Sequence, residues 1–376
     1  MKILISDIFF RKTFDIISIL KKKKNNMRWD LILGVPKKVQ KNFINLFLMY
    51  GINDYVVLRT DDKNDFFEDI VSISKKYSTE EIVYLPVEEN TTSFFLDYIE
   101  KNGTQNFKFL LPSKETFDLF RNKLELNKYC LTNSFPAPKL YNLDSLQFPV
   151  LLKPVHGSGS RGIIRIYNHK EFTEDIKLKI LNEPYVAQEL IPNGKDVQGA
   201  FFLCHDGQVI GAYTHQRIRT FPPSGGVTIL SKYTNNTRLI AESSKLLQSV
   251  KWNGFVMLEY LYDKKCDKYK VIEANPRLWG SIMLSEFSGE NFLDNYIRLC
   301  VDMPLLPINV NENVYIRWFV PDFISFIKGR LKIKDFWKIK NTCLINWTYA
   351  QKLRAIYYLL YSTLQPRNIK KLFIRK

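Results

Sequence analysis

The chain opens on a short apolar run, Lys2-Ile-Leu-Ile-Ser-Asp7, that reads as a buried strand, and a helical pattern follows it to about Ile19. Further short apolar runs at Trp29–Leu33, Tyr55–Leu58 and Ile82–Leu85 alternate with helical patterns near 36–50, 64–76 and 91–101. Strands alternating with helices predict a parallel sheet with helices on its faces. From about residue 111 the pattern changes. One helix, Lys114–Cys130, leads into Phe135-Pro-Ala-Pro138, where each proline holds its predecessor extended. Strand patterns then recur at Phe148–Lys153, Gly162–Tyr167, Tyr185–Leu190, Gly199–Cys204, Val209–Thr214, Gly254–Tyr260 and Lys270–Glu273, with helices near 170–180, 236–250 and 290–301. After about Ile316 the pattern is helical and amphipathic. The expected fold class is thus α/β and α+β together. A small parallel α/β domain occupies 1–110, a larger α+β domain with antiparallel hairpins 111–315, and a helical extension 316–376.

Composition supports two or three folded domains, since 376 residues with 45% hydrophobic content fill real cores and exclude a disordered chain. Charge adds a partner class. The net charge is +17, which points to something anionic. Much of it is local: residues 321–376 hold thirteen Lys and Arg against only Asp322 and Asp335, interleaved with Phe326, Phe336, Trp337, Trp347, Tyr357 and Tyr358. No nucleic-acid motif accompanies them, which favours an anionic membrane surface or a protein partner over nucleic acid, with a plain basic helical cap packed on the preceding domain as the alternative. The run Lys21–Lys24 reads as a solvated turn. Five cysteines without Cys-x-x-Cys spacing predict neither a zinc site nor a disulfide framework. The first residues do not read as a signal peptide, and no stretch reaches the ~18 uninterrupted apolar residues of a membrane span. The expected location is the cytoplasm, with the basic extension offering attachment to the inner membrane face.

Two segments carry candidate chemistry. Gly157-Ser-Gly-Ser-Arg-Gly162 has the spacing Gly-x-Gly-x-x-Gly, yet it runs into β-branched Ile163-Ile-Arg-Ile166 and opens no helix. It is therefore expected at the tip of a strand–loop–strand hairpin, where backbone N–H groups can lie over phosphates. The hydroxyls of Ser158 and Ser160 add donors. Lys153, at the end of an apolar strand, is costly to bury unless it meets an anion. The second segment is Gly254–Tyr260 followed by Val271-Ile-Glu-Ala-Asn-Pro-Arg277. A hairpin centred on Cys266 sets Glu259 opposite Glu273, and the two-residue period puts Asn275 on their face. Opposed carboxylates repel unless a cation lies between them. Three oxygen ligands on one face suit Mg²⁺. Arg277 follows two residues on, placed to stabilise charge on a phosphoryl or acyl group.

The order Lys123, Lys153, Gly157–Gly162, Glu189-Leu-Ile191, Asp196, Glu259 and Glu273-x-Asn275-Pro-Arg277 resembles the ATP-grasp superfamily, in its form closest to carbamoyl-phosphate synthase and the carboxylate–amine ligases. The likeness covers roughly residues 1–300, and its most specific part is Glu-x-Asn-Pro-Arg with a second acid fourteen residues upstream. It implies an ATP-grasp fold preceded by a small α/β domain, with ATP and Mg²⁺ as cofactors. It implies that Lys123 and Lys153 meet ATP phosphates, together with Gly157, Ser158, Gly159, Ser160 and Gly162. Asn122 stands where the family has Asp. Glu189 and Ile191 fall on the strand that offers backbone groups to adenine, and Asp196 falls where an acid holds the ribose. Glu259, Glu273 and Asn275 resemble the magnesium ligands, and Arg277 resembles the arginine at the acyl phosphate, with Lys153 as its catalytic companion.

The implied activity is ATP-dependent joining of a small-molecule carboxylate to an amine through an acyl phosphate, on a substrate that the chain does not name, with a cell-envelope or polysaccharide precursor as one class. Two alternatives stay open: a phosphotransferase that stops at phosphoryl transfer, and a membrane-surface or nucleic-acid binding protein with a vestigial ATP site. Arg217 and Arg219 are candidates for binding a substrate carboxylate together. His169, His205 and His215 show no metal-ligand spacing.

Overall fold

The computed structural model describes residues 1–8, 11–22, 29–36, 54–157, 162–192, 197–221, 227–328 and 334–335. Its first sheet is parallel and has the order β3-β2-β1-β4-β5, formed by β1 (Lys2–Ile5), β2 (Asp30–Val35), β3 (Asp54–Val57), β4 (Ile82–Leu85) and β5 (Phe107–Lys108). The apolar runs of β1 and β4 form strands because both faces are covered, so an unbroken Ile/Leu/Val sequence has no wet side to avoid. Helices α1 (Arg11–Lys22), α2 (Lys63–Lys76) and α3 (Glu89–Asn102) connect these strands. The side chain of Asp62 starts α2 by accepting from the backbone N–H groups of Asn64 and Asp65. Lys21 and Lys22 close α1, where a solvated turn is predicted; Lys23 and Lys24, with most of the helical pattern at 36–50, lie outside the described residues.

The predicted helix Lys114–Cys130 is two helices, α4 (Lys114–Arg121) and α5 (Lys123–Thr132). Asn122 separates them because its side-chain oxygen accepts from Leu124 N at 3.0 Å and Glu125 N at 3.1 Å, the work of an N-cap. A four-stranded antiparallel sheet of order β6-β9-β7-β8 follows, made of β6 (Leu140–Tyr141), β7 (Val150–Pro154), β8 (Ile164–Ile166) and β9 (Tyr185–Glu189). Helix α6 (Glu174–Asn182) lays Ile176 and Ile180 against its apolar face.

The largest sheet has six antiparallel strands in the order β14-β13-β10-β11-β12-β15. They are β10 (Gln198–His205), β11 (Gln208–Phe221), β12 (Val227–Thr234), β13 (Gly254–Asp263), β14 (Lys268–Asn275) and β15 (Tyr315–Arg317). Alternation along β10 sorts its side chains. Ala200, Phe202 and Cys204 pack against α7 (Thr237–Ser249) and the α4–α5 pair. Phe201 and Leu203 face the other way, into a core that also contains Ile3, Ile5 and Leu85 of the first sheet and the helices α8 (Ile282–Ser288) and α9 (Phe292–Cys300). The parallel sheet and the six-stranded sheet therefore share one apolar core. Strand β11 runs past the predicted Val209–Thr214 to Phe221 and takes in Arg217 and Arg219, and β12 is not among the predicted strands. The helix predicted at 290–301 is α9, with α8 before it. Of the extension, β15 and α10 (Phe319–Ile327) are described, while residues 336–376, and with them most of its basic groups, lie outside the described residues. Among the described residues no helix is long and apolar enough to cross a membrane.

Candidate active site

The site is built on the β13–β14 hairpin. Its tip pairs Asp263 with Lys268 and Tyr260 with Val271, a register that continued unbroken would set Glu259 opposite Ile272. One extra residue, Ile272, bulges out of β14, and beyond it Glu259 pairs with Glu273, Leu258 with Ala274 and Met257 with Asn275. The two carboxylates face each other as the sequence requires, with a bulge in place of the expected centring on Cys266. The bulge also frees a carbonyl: Ile272 O accepts from Lys153 Nζ at 2.6 Å.

Cations ring the acidic pair. Lys153 is the last residue but one of β7 and is 5% exposed. Lys123 opens α5, where its Nζ lies 3.6 Å from Glu273 Oε1 and donates to Gly157 O at 2.6 Å. Arg217 Nη2 donates to Glu259 Oε1 at 2.7 Å. Burial pushes the Glu273 carboxyl up to about 7, with the Glu259 charge opposite it adding to the rise and Lys123 and Lys153 opposing it. Burial pushes Lys153 down to about 8 against the pull of Glu273. Among the described residues no three His, Cys, Asp or Glu side chains form a group that could hold a metal ion, so the donors this site could offer one are two carboxylates and the Asn275 amide. That set fits a hard divalent cation that keeps its other positions for water and phosphate. Glu259 and Glu273 are half-buried, and a divalent cation held between them would offset their mutual repulsion.

Gly157 and Gly162 flank the loop between β7 and β8, whose strands pair antiparallel as a hairpin. Gly162 has φ +76°, and a Cβ there would stand 2.8 Å from Pro154 Cγ, so the turn needs glycine. Ser158, Gly159 and Ser160 lie outside the described residues, as does Asp196. Glu189 ends β9. Its Oε1 accepts from Lys139 N at 2.9 Å and pairs with Lys270 Nζ at 2.5 Å, which ties the four-stranded sheet to β14. Ile191 is buried just beyond it.

Arg277 lies past the end of β14 and is held from three sides. Its Nη2 donates to Asn275 Oδ1 at 2.9 Å, Nη1 to Leu278 O at 3.1 Å and Nε to Glu89 Oε1 at 3.1 Å. Glu89 belongs to α3 of the first sheet's unit. Beside it Glu88 pairs with Lys12 at 2.5 Å, and Lys12 Nζ also donates to Leu278 O. The sequence reading missed Glu88, Glu89 and Lys12. A signal was present: adjacent acids just past the C-terminal end of a parallel strand stand where such sheets place ligand sites.

The structure does not bring Arg217 and Arg219 together. The β11–β12 register shifts between them, so Arg217 pairs with Ser231 while Arg219 pairs with Leu230, and the two arginines point to opposite faces. Arg219 Nη2 meets Asp322 Oδ2 of α10 at 2.7 Å, and Arg317 Nε meets the same oxygen at 2.6 Å. On the face of Arg217, Glu273, Glu259, Gly199, His215 and Tyr233 form one row across five strands. Gly199 leaves the gap that this row needs, since a Cβ there would stand 2.9 Å from His215 Nε2.

A family model for the ATP-grasp domain matches residues 120–281. The chain is 25% identical over 195 residues to the mitochondrial acetyl-CoA carboxylase of Saccharomyces cerevisiae, a match covering 48% of this chain and 8% of that protein. Among solved structures it is similar to the biotin carboxylase–β,γ-ATP complex from Campylobacter jejuni, with TM-score 0.65 and 17% identity over 82% of this chain and 73% of that one. It is also similar to the L-amino acid ligase from Bacillus licheniformis, with TM-score 0.58 and 17% identity over 82% of this chain and 77% of that one. The four-stranded sheet with its glycine hairpin, facing the six-stranded sheet with its acidic pair, is the ATP-grasp fold, and residues 120–281 are an ATP-grasp domain.

Proposed function

We propose that the chain is an ATP- and Mg²⁺-dependent ligase that activates a small-molecule carboxylate as an acyl phosphate and joins it to an amine. The carrying observation is the Glu259–Glu273 pair with Asn275 beside it, ringed by Lys123, Lys153, Arg217 and Arg277. Bound Mg²⁺ would supply the charge that draws the ATP phosphates to this face and neutralises the transferring phosphoryl group. Lys123 and Lys153 are proposed to exchange the carbonyls of Gly157 and Ile272 for phosphate oxygens, charge-assisted partners that bind an ammonium more strongly. Backbone groups of Glu189–Ile191 are assigned to adenine, the residues of the Gly157–Gly162 loop to the phosphates and Asp196 to the ribose. Arg277, oriented by Glu89 and Asn275, faces the acyl group. The arrangement also supports the enzyme reading over a vestigial site, because both lysines and both carboxylates of the motif meet in space. The names of the relatives given above state acetyl-CoA, biotin and L-amino acids, and this chain's own acid and amine are to be found by a screen of ADP release against panels of amino acids and sugar acids. With the right acid, hydroxylamine traps an acyl group only when ATP is present, and Glu273→Ala, still folded, turns over nothing. ATP-independent trapping, or full activity in Glu273→Ala, overturns the reading. ADP release with a stable acyl phosphate and no amine incorporation identifies a phosphotransferase.

A further inference from the structure

We propose that α10 docks the protein on an anionic bilayer: its outward face, carrying Phe323 and Ile327, enters the interfacial hydrocarbon, and the lysines that follow it lie against the headgroups. This goes beyond the ligase reading and does not depend on it. Three observations carry it. The first is that α10 is turned inside out. Over residues 322–327 the two polar side chains, Asp322 and Ser325, are buried. The apolar ones face the other way: Ile324 and Phe326 are half-buried, Phe323 is 41% exposed and Ile327 is 66% exposed. Phe323 and Ile327 are four residues apart, so they are neighbours on one side of the helix. A helix lying on a water-facing surface has the opposite arrangement, with apolar residues inward. Large apolar side chains grouped on a surface mark a contact site. The second observation is that the orientation is fixed. Asp322 Oδ2 accepts from Arg219 Nη2 of β11 at 2.7 Å and from Arg317 Nε of β15 at 2.6 Å. Rolling α10 to bury Phe323 and Ile327 pulls this carboxylate off both guanidiniums and leaves buried charge unpaired, a heavy cost. The outward apolar face is therefore built into the fold.

The third observation is charge. Arg219 Nη1 donates to Asp335 O at 3.2 Å, so one guanidinium brings the chain after α10 back beside Asp322. Lys328 at the end of α10 and Lys334 next to Asp335 are both exposed. Asp322, one of only two acids in residues 321–376, is withdrawn between its two arginines, so little negative charge opposes the thirteen basic groups of that stretch. An anionic bilayer meets both halves of this surface, with headgroup charge for the lysines and hydrocarbon for the two apolar side chains. A lipid surface offers its charge everywhere, whereas a protein groove would need acids spaced to match. Nine residues are too few to cross a bilayer, so α10 lies along it. Arg219, Leu230 and Arg317 form one row across β11, β12 and β15, on the sheet face away from Arg217 and Glu259. Docking through α10 therefore leaves the acidic pair open to its ligands.

The test is co-sedimentation of the full chain with vesicles of phosphatidylcholine alone and of phosphatidylcholine mixed with phosphatidylglycerol, at low and high salt. The wild type binds the mixed vesicles at least about tenfold more tightly than phosphatidylcholine, and salt weakens that binding. Phe323→Ser combined with Ile327→Ser weakens it about tenfold with an unchanged unfolding midpoint, because these side chains leave water only on docking. Lys328→Glu combined with Lys334→Glu weakens it further and flattens the salt dependence. Ile327→Trp, a milder change, adds emission that brominated acyl chains quench beyond the wild-type level. Equal binding to both vesicles, no binding to either, or wild-type binding in the Phe323→Ser, Ile327→Ser variant overturns the proposal. So does Ile327→Trp emission that brominated lipid leaves untouched. A dimer in solution that the same double variant dissociates, with no vesicle binding, overturns it in favour of a second copy of this chain.

Discussion

Glu273 shows how much a single side chain depends on what opposes it. Its carboxyl sits at about 7 in place of the ordinary 4.5, mainly through burial and then through Glu259. A raised acid holds its proton in the folded protein after the unfolded chain has lost it. Its contribution to stability is therefore complete below about pH 4.5 and lost as pH rises through about 7. Metal binding runs the other way, since the ligand must be ionised. Titration of Mn²⁺–ADP should show affinity falling by up to about tenfold per pH unit below about pH 7, and Glu273→Gln should bind weakly without that slope. Equal slopes in both proteins would assign the titration to another group. At this scale the sequence was most readable where the chemistry is compact: Glu273, Asn275 and Arg277 sit within five residues, and one hairpin brings Glu259 to them. It was least readable where a partner arrives from afar. Nothing near Arg277 in sequence announces Glu89, and nothing near Arg219 announces Asp322, because both contacts depend on how separate elements pack.

Secondary structure was legible in type and blurred in detail, and the blurring has physical causes. A period of two predicts which residues share a face only while the register holds. The extra residue at Ile272 and the register shift between Arg217 and Arg219 each interrupt that count. The first interruption restored the expected Glu259–Glu273 pairing. The second sent Arg217 and Arg219 to opposite faces. The break at Asn122 is a capping effect that an apolar pattern does not carry, and it fixes Lys123 as the first residue of a helix, from which its Nζ reaches the Gly157 carbonyl. Asn122→Ala should cost about 1 kcal/mol, read as a lower urea midpoint, whereas Asn122→Asp, which keeps an accepting oxygen, should hold the wild-type value. A midpoint unmoved in Asn122→Ala would mean that tertiary packing alone sets this break.

The molecule as a whole is joined by bonds that cross between its two larger sheets. Tyr296 of α9 donates its hydroxyl to Tyr84 O at 2.8 Å and accepts from Leu110 N at 3.3 Å, and Leu278 N donates to Pro86 O at 2.9 Å. With the shared apolar core around them, the parallel sheet and the six-stranded sheet should unfold in one transition. Tyr296→Phe leaves a buried carbonyl and N–H unpaired, and about 1–3 kcal/mol of stability should go with them. Two separate calorimetric transitions in the wild type would contradict the shared core. Alternating strand and helix patterns, followed by hairpin patterns, announced both sheets in the sequence, but not their fusion, because apolar residues do not say which other apolar residues they will meet. Within that fusion Phe201, Tyr213 and Tyr233 stack at 4.5 Å and 5.3 Å, and the Trp279 indole lies across the column, 4.9 Å from Phe201. Rings held this close in a fixed chiral order couple their electronic transitions. The protein thus carries an intrinsic optical signal in the near ultraviolet, strong in circular dichroism only while the column is intact. Trp279 is two residues from Arg277, so the same light that reports the fold also reads out the backbone on which Arg277 stands.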